Sequence, residues 1–198
     1  MAYTSKTYAL INKKDKRHLQ EVLKYLVPRR EEKILEIGCG RGFVVRELQN
    51  VSPETYGIDV NPNSIKHGVS SNLKAMDAER LEFDDASFDK LYSFHVIEHV
   101  QNIRKALEEM ERVLRPGGRM LLVYPAEPIR GLFSIPAAVV LFKNPFRARE
   151  VHLRKLNPKR IQELIAGTKL EHKESRFSFF SSPQYFTVLQ KRLSSIGE

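Results

Sequence analysis

The stretch from Lys33 to Gly42 constrains the fold more than any other part of the chain. A short apolar run, Lys33 to Ile37, stops at Gly38-Cys39-Gly40-Arg41-Gly42, and Phe43 to Gln49 resumes with helical character. Strand, glycine turn and helix in that order open a βαβ unit. The turn lets backbone approach a ligand closely and aims helix N–H groups at it.

The remaining segments continue the alternation. Leu19, Val22, Leu23, Leu26 and Val27 recur at helical spacing over residues 16 to 27, and Pro28 ends that helix. Thr55 to Ile58 reads as a second strand ending at Asp59, and a helix is expected near Pro62, since proline suits a first helical turn. Leu73 to Met76 and Lys90 to Phe94 read as the third and fourth strands. Residues 101 to 114 form a helix with Ile103, Ala106, Leu107, Met110, Val113 and Leu114 on one face. Pro116-Gly117-Gly118 breaks it, and Met120 to Tyr124 follows as a fifth strand. A helix ends over Ile161 to Ala166, closed by Gly167, before two strand-like runs, 169 to 180 and 184 to 190, joined by Ser-Ser-Pro. The expected fold class is therefore α/β: a doubly wound, mostly parallel Rossmann-like sheet with helices on both faces and a C-terminal antiparallel hairpin.

The glycine spacing narrows the ligand. Dinucleotide sites use G-x-G-x-x-G; here the pattern is G-x-G-x-G and the sixth position is Phe43. The third glycine is misplaced for a pyrophosphate. An adenosyl ligand with a zwitterionic amino-acid tail suits the loop better, with Glu36 facing the tail's ammonium and loop amides facing its carboxylate. Asp59 at the end of the second strand can accept two hydrogen bonds from ribose hydroxyls, and Asp77 at the end of the third can reach an adenine amine. The plainer reading of either Asp is a turn former or helix cap.

Four segments carry a resemblance: Ile34-Leu-Glu-Ile-Gly-Cys-Gly-Arg-Gly42, Tyr56-Gly-Ile-Asp-Val60, Met76-Asp-Ala78 and Arg112-Val-Leu-Arg-Pro-Gly-Gly118. In order and spacing over residues 30 to 125 they resemble the motifs of class I S-adenosylmethionine-dependent methyltransferases. The nearest branch is the type 11 group, which includes ubiquinone and menaquinone biosynthesis enzymes. The resemblance implies S-adenosylmethionine as cofactor, with Glu36, Gly38 and Gly40 around its methionine moiety. It places Asp59 at the ribose, Asp77 and Ala78 at the adenine and His95 near the methionine end, with Val60 also among the cofactor-binding residues.

His95-Val-Ile-Glu98-His99 follows the fourth strand, on the edge where such sheets bind ligands. Three readings stand side by side. Glu98 and His99 could cap or brace the following helix. His95 or His99 could serve as a general base, since imidazole titrates near neutrality. Some ubiquinone-type and small-RNA methyltransferases bind a divalent ion at a similar Glu-x-x-Glu-His with a downstream His. That resemblance would make His95, Glu98, His99 and His152 a metal site. Here a His replaces the first Glu, which suits Mg²⁺ poorly, and no metal is the expectation. Methyl transfer does not require a base, because alignment of nucleophile, methyl carbon and sulfur supplies much of the acceleration.

The acceptor is less constrained. Ser93-Phe94-His95-Val96 is not the Pro-Pro-aromatic motif of enzymes that methylate base amines. The single cysteine, Cys39, lies inside the loop, where a small buried side chain is the simpler reading than a nucleophile. Residues 125 to 156 form an apolar insert containing Ile129, Leu132, Phe133, Ile135, Val139 to Phe142 and Phe146, followed by basic residues. It reads either as a helix covering the sheet or as a hydrophobic lid over a lipophilic or lipid-linked substrate, resting on an anionic membrane surface. Tyr3 and Tyr8 could close over the cofactor from an N-terminal lid.

At 198 residues the chain is the size of one methyltransferase domain. Its segments are an N-terminal helical part (1–30), a cofactor core (31–124), the substrate-side insert (125–156) and a C-terminal helix and hairpin (157–198). The net charge of +9 is segregated into basic stretches at Lys13 to Arg30 and Lys143 to Arg160, with an acid-rich Asp77 to Glu111 between them. That keeps an RNA methyltransferase open as a rival, alongside a non-catalytic cofactor-binding module. The favoured partner is a small-molecule acceptor, methylated on oxygen. The Lys-rich start without an apolar h-region and the single cysteine lead to an expected cytoplasmic location.

Overall fold

A computed structural model describes residues 16–126, 155–179 and 183–193. Its elements are α1 (Lys16–Leu26), β1 (Ile34–Ile37), α2 (Phe43–Leu48), β2 (Thr55–Asp59), α3 (Pro62–Lys66) and β3 (Leu73–Ala75). After these come β4 (Phe88–Phe94), α4 (Ile103–Val113), β5 (Leu114–Pro125), α5 (Pro158–Ile165), β6 (Leu170–Ser178) and β7 (Gln184–Lys191). They build a seven-stranded sheet in the order β3-β2-β1-β4-β5-β7-β6. The first five strands pair in parallel, while β7 is antiparallel to both β5 and β6.

The expected doubly wound sheet with a terminal hairpin is present. The order reverses between β1 and β4, and a crevice at such a switch point, outside the carboxyl ends of the strands, is where open α/β sheets take ligands.

Two apolar layers sandwich the sheet. On one face Ile103, Ala106, Leu107, Met110 and Val113 of α4 pack with Ile161, Leu164 and Ile165 of α5 over Leu35, Ile37, Leu91 and Leu122. On the other, Val22, Tyr25 and Leu26 of α1 and Val44 and Leu48 of α2 cover Ile34, Tyr92, Phe94, Leu121 and Val123. Successive strand residues thus serve opposite layers, as the pleat requires.

Polar side chains finish the helix ends. Asn102 Oδ1 accepts the Lys105 N–H at 3.1 Å and Asn157 Oδ1 accepts the Arg160 N–H at 2.8 Å, each as an N-cap. At the other end of α4, the buried Lys191 ammonium donates to Glu111 O and Leu114 O at 2.7 and 2.8 Å. It satisfies carbonyls that the helix cannot. Arg112 ties the β3–β4 connection down by donating to Leu81 O and Phe83 O at 2.7 Å each while pairing with Glu109 and Asp85.

Some boundaries differ from the sequence expectation. α4 ends at Val113, and Pro116-Gly117-Gly118 lies inside β5, which begins at Leu114 rather than near Met120. Gly118 belongs there because a Cβ would come within 2.9 Å of Asp89 O and within 2.7 Å of the Leu114 side chain. β4 begins at Phe88, two residues early, because Phe88 pairs with Leu114 across a bulge. β3 stops at Ala75, short of Met76. Most of the apolar insert and the N-terminal tyrosines lie outside the described residues.

Candidate functional site

The glycine loop connects β1 to α2 at the carboxyl edge. Gly38, Gly40 and Gly42 all take positive φ, at 79°, 53° and 75°, which glycine adopts without steric cost. Gly38 is further fixed by space, since a Cβ there would overlap Val96 Cγ2. The N–H groups of Gly38 and Cys39 both donate to Ile58 O at 2.8 Å, holding the loop against β2. Cys39 is buried against Gly57, where a Cβ would sit 2.9 Å from the Cys39 sulfur, and burial pushes its thiol pKa up. This agrees with Cys39 as a small packing residue.

Two carboxylates stand at the strand ends beside this loop. Asp59 Oδ2 accepts the Gly40 N–H and Oδ1 the Asn61 N–H, each at 2.8 Å. Each oxygen keeps a second lone pair, so the carboxylate can hold the loop and still accept two ligand hydroxyls. Burial raises its pKa, and the two backbone N–H groups oppose that rise. Glu36 on β1 is buried, and Tyr92 on β4 donates its hydroxyl to Glu36 Oε2 at 3.1 Å. Desolvation pushes the Glu36 carboxyl up to about 8, opposed by Tyr92 and reinforced by the nearby Asp59 charge. A buried carboxylate with one hydroxyl donor and no cation beside it bears a desolvation cost that a neighbouring positive charge would relieve.

The next two positions follow the same edge. Val60 is 56% exposed, an apolar surface next to the Asp59 carboxylate. Asp77 lies two residues beyond the end of β3 and is exposed. Its Oδ1 accepts the Glu79 N–H at 2.9 Å, while Ala78 beside it is buried. Asp77 is therefore a turn former as well as a strand-end acid.

At the end of β4 the backbone turns sharply. His95 has φ 55°, in the left-handed region that is uncommon for a side-chain-bearing residue, while its N–H donates to Val123 O at 2.9 Å. Its Nδ1 lies 3.5 Å from Glu98 Oε1, and His99 Nε2 lies 3.9 Å from the same atom. Glu98 is fully buried, and neither of its oxygens has a hydrogen bond within 3.5 Å that meets normal geometry. Burial pushes its carboxyl up, yet the two imidazoles outweigh this and hold it below the usual carboxylate range.

The structure gives the cap, though not the bracing, of α4 to other residues: its N-cap is Asn102, and the N–H groups of Gln101 and Asn102 donate to Glu79 Oε1. Among the described residues no group of three or more His, Cys, Asp or Glu side chains is placed to hold a metal ion, and His152 lies outside them.

One residue absent from the sequence reading joins the site. His18, in the first turns of α1, stacks on Phe94 with ring centroids 4.1 Å apart and planes 12° apart. Its ring centroid is 6.4 Å from that of His95. Nothing local in the sequence marks it, because 76 residues separate it from the strand end it touches.

Residues 35–122 match the family model described as a methyltransferase domain. A probable S-adenosylmethionine-dependent methyltransferase of Mycolicibacterium smegmatis is 33% identical over 145 residues, covering 70% of this chain and 52% of the relative. A ubiquinone biosynthesis O-methyltransferase of Chelativorans sp. is 28% identical over 152 residues, covering 72% and 60%. The chain thus spans about half the length of the curated relatives it matches. A crystal structure of a SAM-dependent methyltransferase from Aquifex aeolicus superposes with TM-score 0.69 at 14% identity, covering 94% of this chain and 98% of that one.

Proposed function

We propose that this chain, whose residues 35–122 match a methyltransferase-domain family model on a Rossmann-like sheet, transfers a methyl group from S-adenosylmethionine to the oxygen of a small molecule. The observation that carries the reading is the row of groups along one sheet edge. Glu36, the glycine loop and Asp59 stand at the ends of β1 and β2, and His95 stands at the end of the adjacent β4.

The donor set fits the cofactor piece by piece. Glu36 is the counter-ion for the amino-acid ammonium, and the positive-φ glycines leave room for the tail beside their backbone. Asp59 accepts the ribose hydroxyls with its free lone pairs, Val60 offers an apolar face to the adenine, and Asp77 with Ala78 lies at the base's edge. Bound there, S-adenosylmethionine supplies a methyl group made electrophilic by its sulfonium.

The chain's own residues then orient the acceptor and take its proton. With His95 Nδ1 3.5 Å from the buried Glu98 carboxylate, hydrogen on Nδ1 is favoured, which gives the role of base to Nε2. That nitrogen is the base for an acceptor hydroxyl. Preference for oxygen over nitrogen or carbon draws on the ubiquinone-pathway O-methyltransferase relative. A lipophilic acceptor draws on the apolar composition of residues 129 to 146.

Calorimetry tests the first half. S-adenosylhomocysteine should bind one to one, and absence of binding overturns the proposal. The second half is read by transfer of label from S-[methyl-14C]adenosylmethionine to hydroxyl acceptors, with no transfer to amines of similar shape.

A further inference from the structure

We propose that the amino edge of the sheet, opposite the edge that carries the glycine loop, holds a second small-molecule site, which takes a phosphomonoester. The site goes beyond the methyl-transfer reading above and does not depend on it.

The site is a cavity of about 430 Å³, within the roughly 300–1,000 Å³ of small-molecule pockets. Three stretches line it: the chain leading into β1, the first residues of β4 and the first residues of β5. All three lie at the amino ends of parallel strands. Arg29, Lys90, Arg115 and Arg119 bring positive charge to the cavity, and Glu32 and Asp89 bring negative charge. Arg119 is turned there by the pleat. It stands two residues before Leu121, whose side chain packs in the layer that α1 covers. Leu26 and Val27, at the end of α1, form the neighbouring wall.

The two acids are already matched. Glu32 pairs with Lys90, which also donates to Val27 O at 2.8 Å, and Glu32 Oε2 accepts the Arg29 N–H at 2.7 Å. Asp89 takes Arg115 Nη1 on both oxygens, at 2.6 and 2.7 Å, and accepts the Lys33 N–H at 2.7 Å. That leaves Arg29 and Arg119, whose guanidinium groups make no hydrogen bond or ion pair with any other described residue. Arg115 spends Nε on Ala86 O and Nη1 on Asp89, which leaves Nη2 without a described partner.

Folding alone gives no reason for this surplus. Arg119 is half-buried, and withdrawing a charge from water without a counter-charge costs stability. Like charges gathered in one concavity repel each other and focus their field on an incoming anion. A phosphomonoester carries about two negative charges at neutral pH, which is the charge that is missing. Its three terminal oxygens suit planar guanidinium forks, which bind phosphate bidentately. The esterified body then rests on Leu26, Val27 and Pro116.

Phenyl phosphate is the probe, and phenyl sulfate has the same shape with a single charge. In calorimetry we expect phenyl phosphate to bind one to one and phenyl sulfate to bind about tenfold more weakly or less. Arg29→Gln and Arg119→Gln should each weaken phenyl phosphate about tenfold, the equivalent of one charge-assisted contact, while S-adenosylhomocysteine affinity stays within about twofold. Vesicles containing phosphatidic acid that sediment with the wild type but not with Arg119→Gln support a lipid as the source of the phosphomonoester. Phenyl phosphate binding without sedimentation supports a soluble one. Ligand-free Arg119→Met keeps the stem and loses the charge, so its urea midpoint should equal or exceed that of the wild type. A lower midpoint makes Arg119 a structural residue and overturns the assignment. So does an absence of phenyl phosphate binding, or binding that survives both glutamine substitutions. Binding of single-stranded RNA that is lost in these variants, with no binding of phenyl phosphate, overturns it in favour of a nucleic-acid backbone. A wild-type chain that transfers no methyl group leaves this site standing, so the two readings fail separately.

Discussion

The proposed cofactor half of the site and its proposed acceptor half are built by different means. Around β1 and β2 the geometry is held by backbone: three positive-φ glycines, two amides on Ile58 O, and Asp59 clamped to Gly40 and Asn61. Around the end of β4 it is held by side chains from separate places. These are His18 from α1, His95 in a strained turn, and Glu98 buried beneath two imidazoles. A site made of backbone tolerates one residue type at each key position. A site made of side chains can change its acceptor by changing a few residues, provided something rigid lies behind them.

The sharpest break of the backbone half is Gly38→Ala. The new methyl would overlap Val96 and fix an L-residue at φ 79°. Overpacking and left-handed strain together should cost about 2–4 kcal/mol, seen as a lower denaturant midpoint with an unchanged m-value. Asp59→Ala comes next. It releases the Gly40 and Asn61 amides and removes the ribose acceptor, so S-adenosylhomocysteine affinity should fall about 100-fold, the equivalent of one or two charge-assisted hydrogen bonds. Unchanged affinity would place the ribose elsewhere.

These two positions were legible because their signals are local. A strand, a glycine turn and an acid at the next strand's end are neighbours in sequence, and apolar runs, helical spacing and proline placement together located the elements of the described core, α5 only by its end. What periodicity could not locate is where Pro116-Gly117-Gly118 sits, since the pairing of Phe88 with Leu114 that draws this stretch into β5 is tertiary. His18 was illegible for the same reason. An amphipathic helix announces which face is buried but not which strand end its first turn will meet. Glu98 was half legible: its place between two histidines was evident, but its complete burial is tertiary and nothing local announces it.

The comparison sharpens with pH. Glu36 is raised to about 8 by burial, so between its unfolded value near 4.5 and about 8 the folded, ligand-free chain binds more protons than the unfolded one. Stability contributed by this group is therefore full below about 4.5 and is lost as pH rises through about 8. Glu98 has the opposite sign: lowered by its histidines, it contributes stability above its unfolded value that is lost as pH falls through its folded one. Thermal unfolding of Glu36→Gln should show a flatter decline from pH 5 to 8 than the wild type. Addition of S-adenosylhomocysteine should flatten the wild-type curve in the same range, because the ligand's ammonium compensates the carboxylate. An identical slope in Glu36→Gln would remove Glu36 as the source.

The smallest effect concerns His95, where the acceptor half borrows a backbone device. A histidine at φ 55° spends about 1 kcal/mol that a glycine would not. His95→Gly and His95→Ala both delete the imidazole and its contact with Glu98, so that loss cancels between them. The difference left is the Cβ in a left-handed turn. At an ordinary helical or extended position alanine would be the more stable of the two; here glycine should exceed alanine by about 0.5–1 kcal/mol in urea unfolding. If alanine is the more stable, the turn relaxes when the ring is gone. The strain then comes from the ring's contact with Glu98 rather than from the strand end. If glycine is the more stable, the turn is fixed by the bond from the His95 N–H to Val123 O. Retaining histidine there then trades stability for an imidazole beside the Glu98 carboxylate.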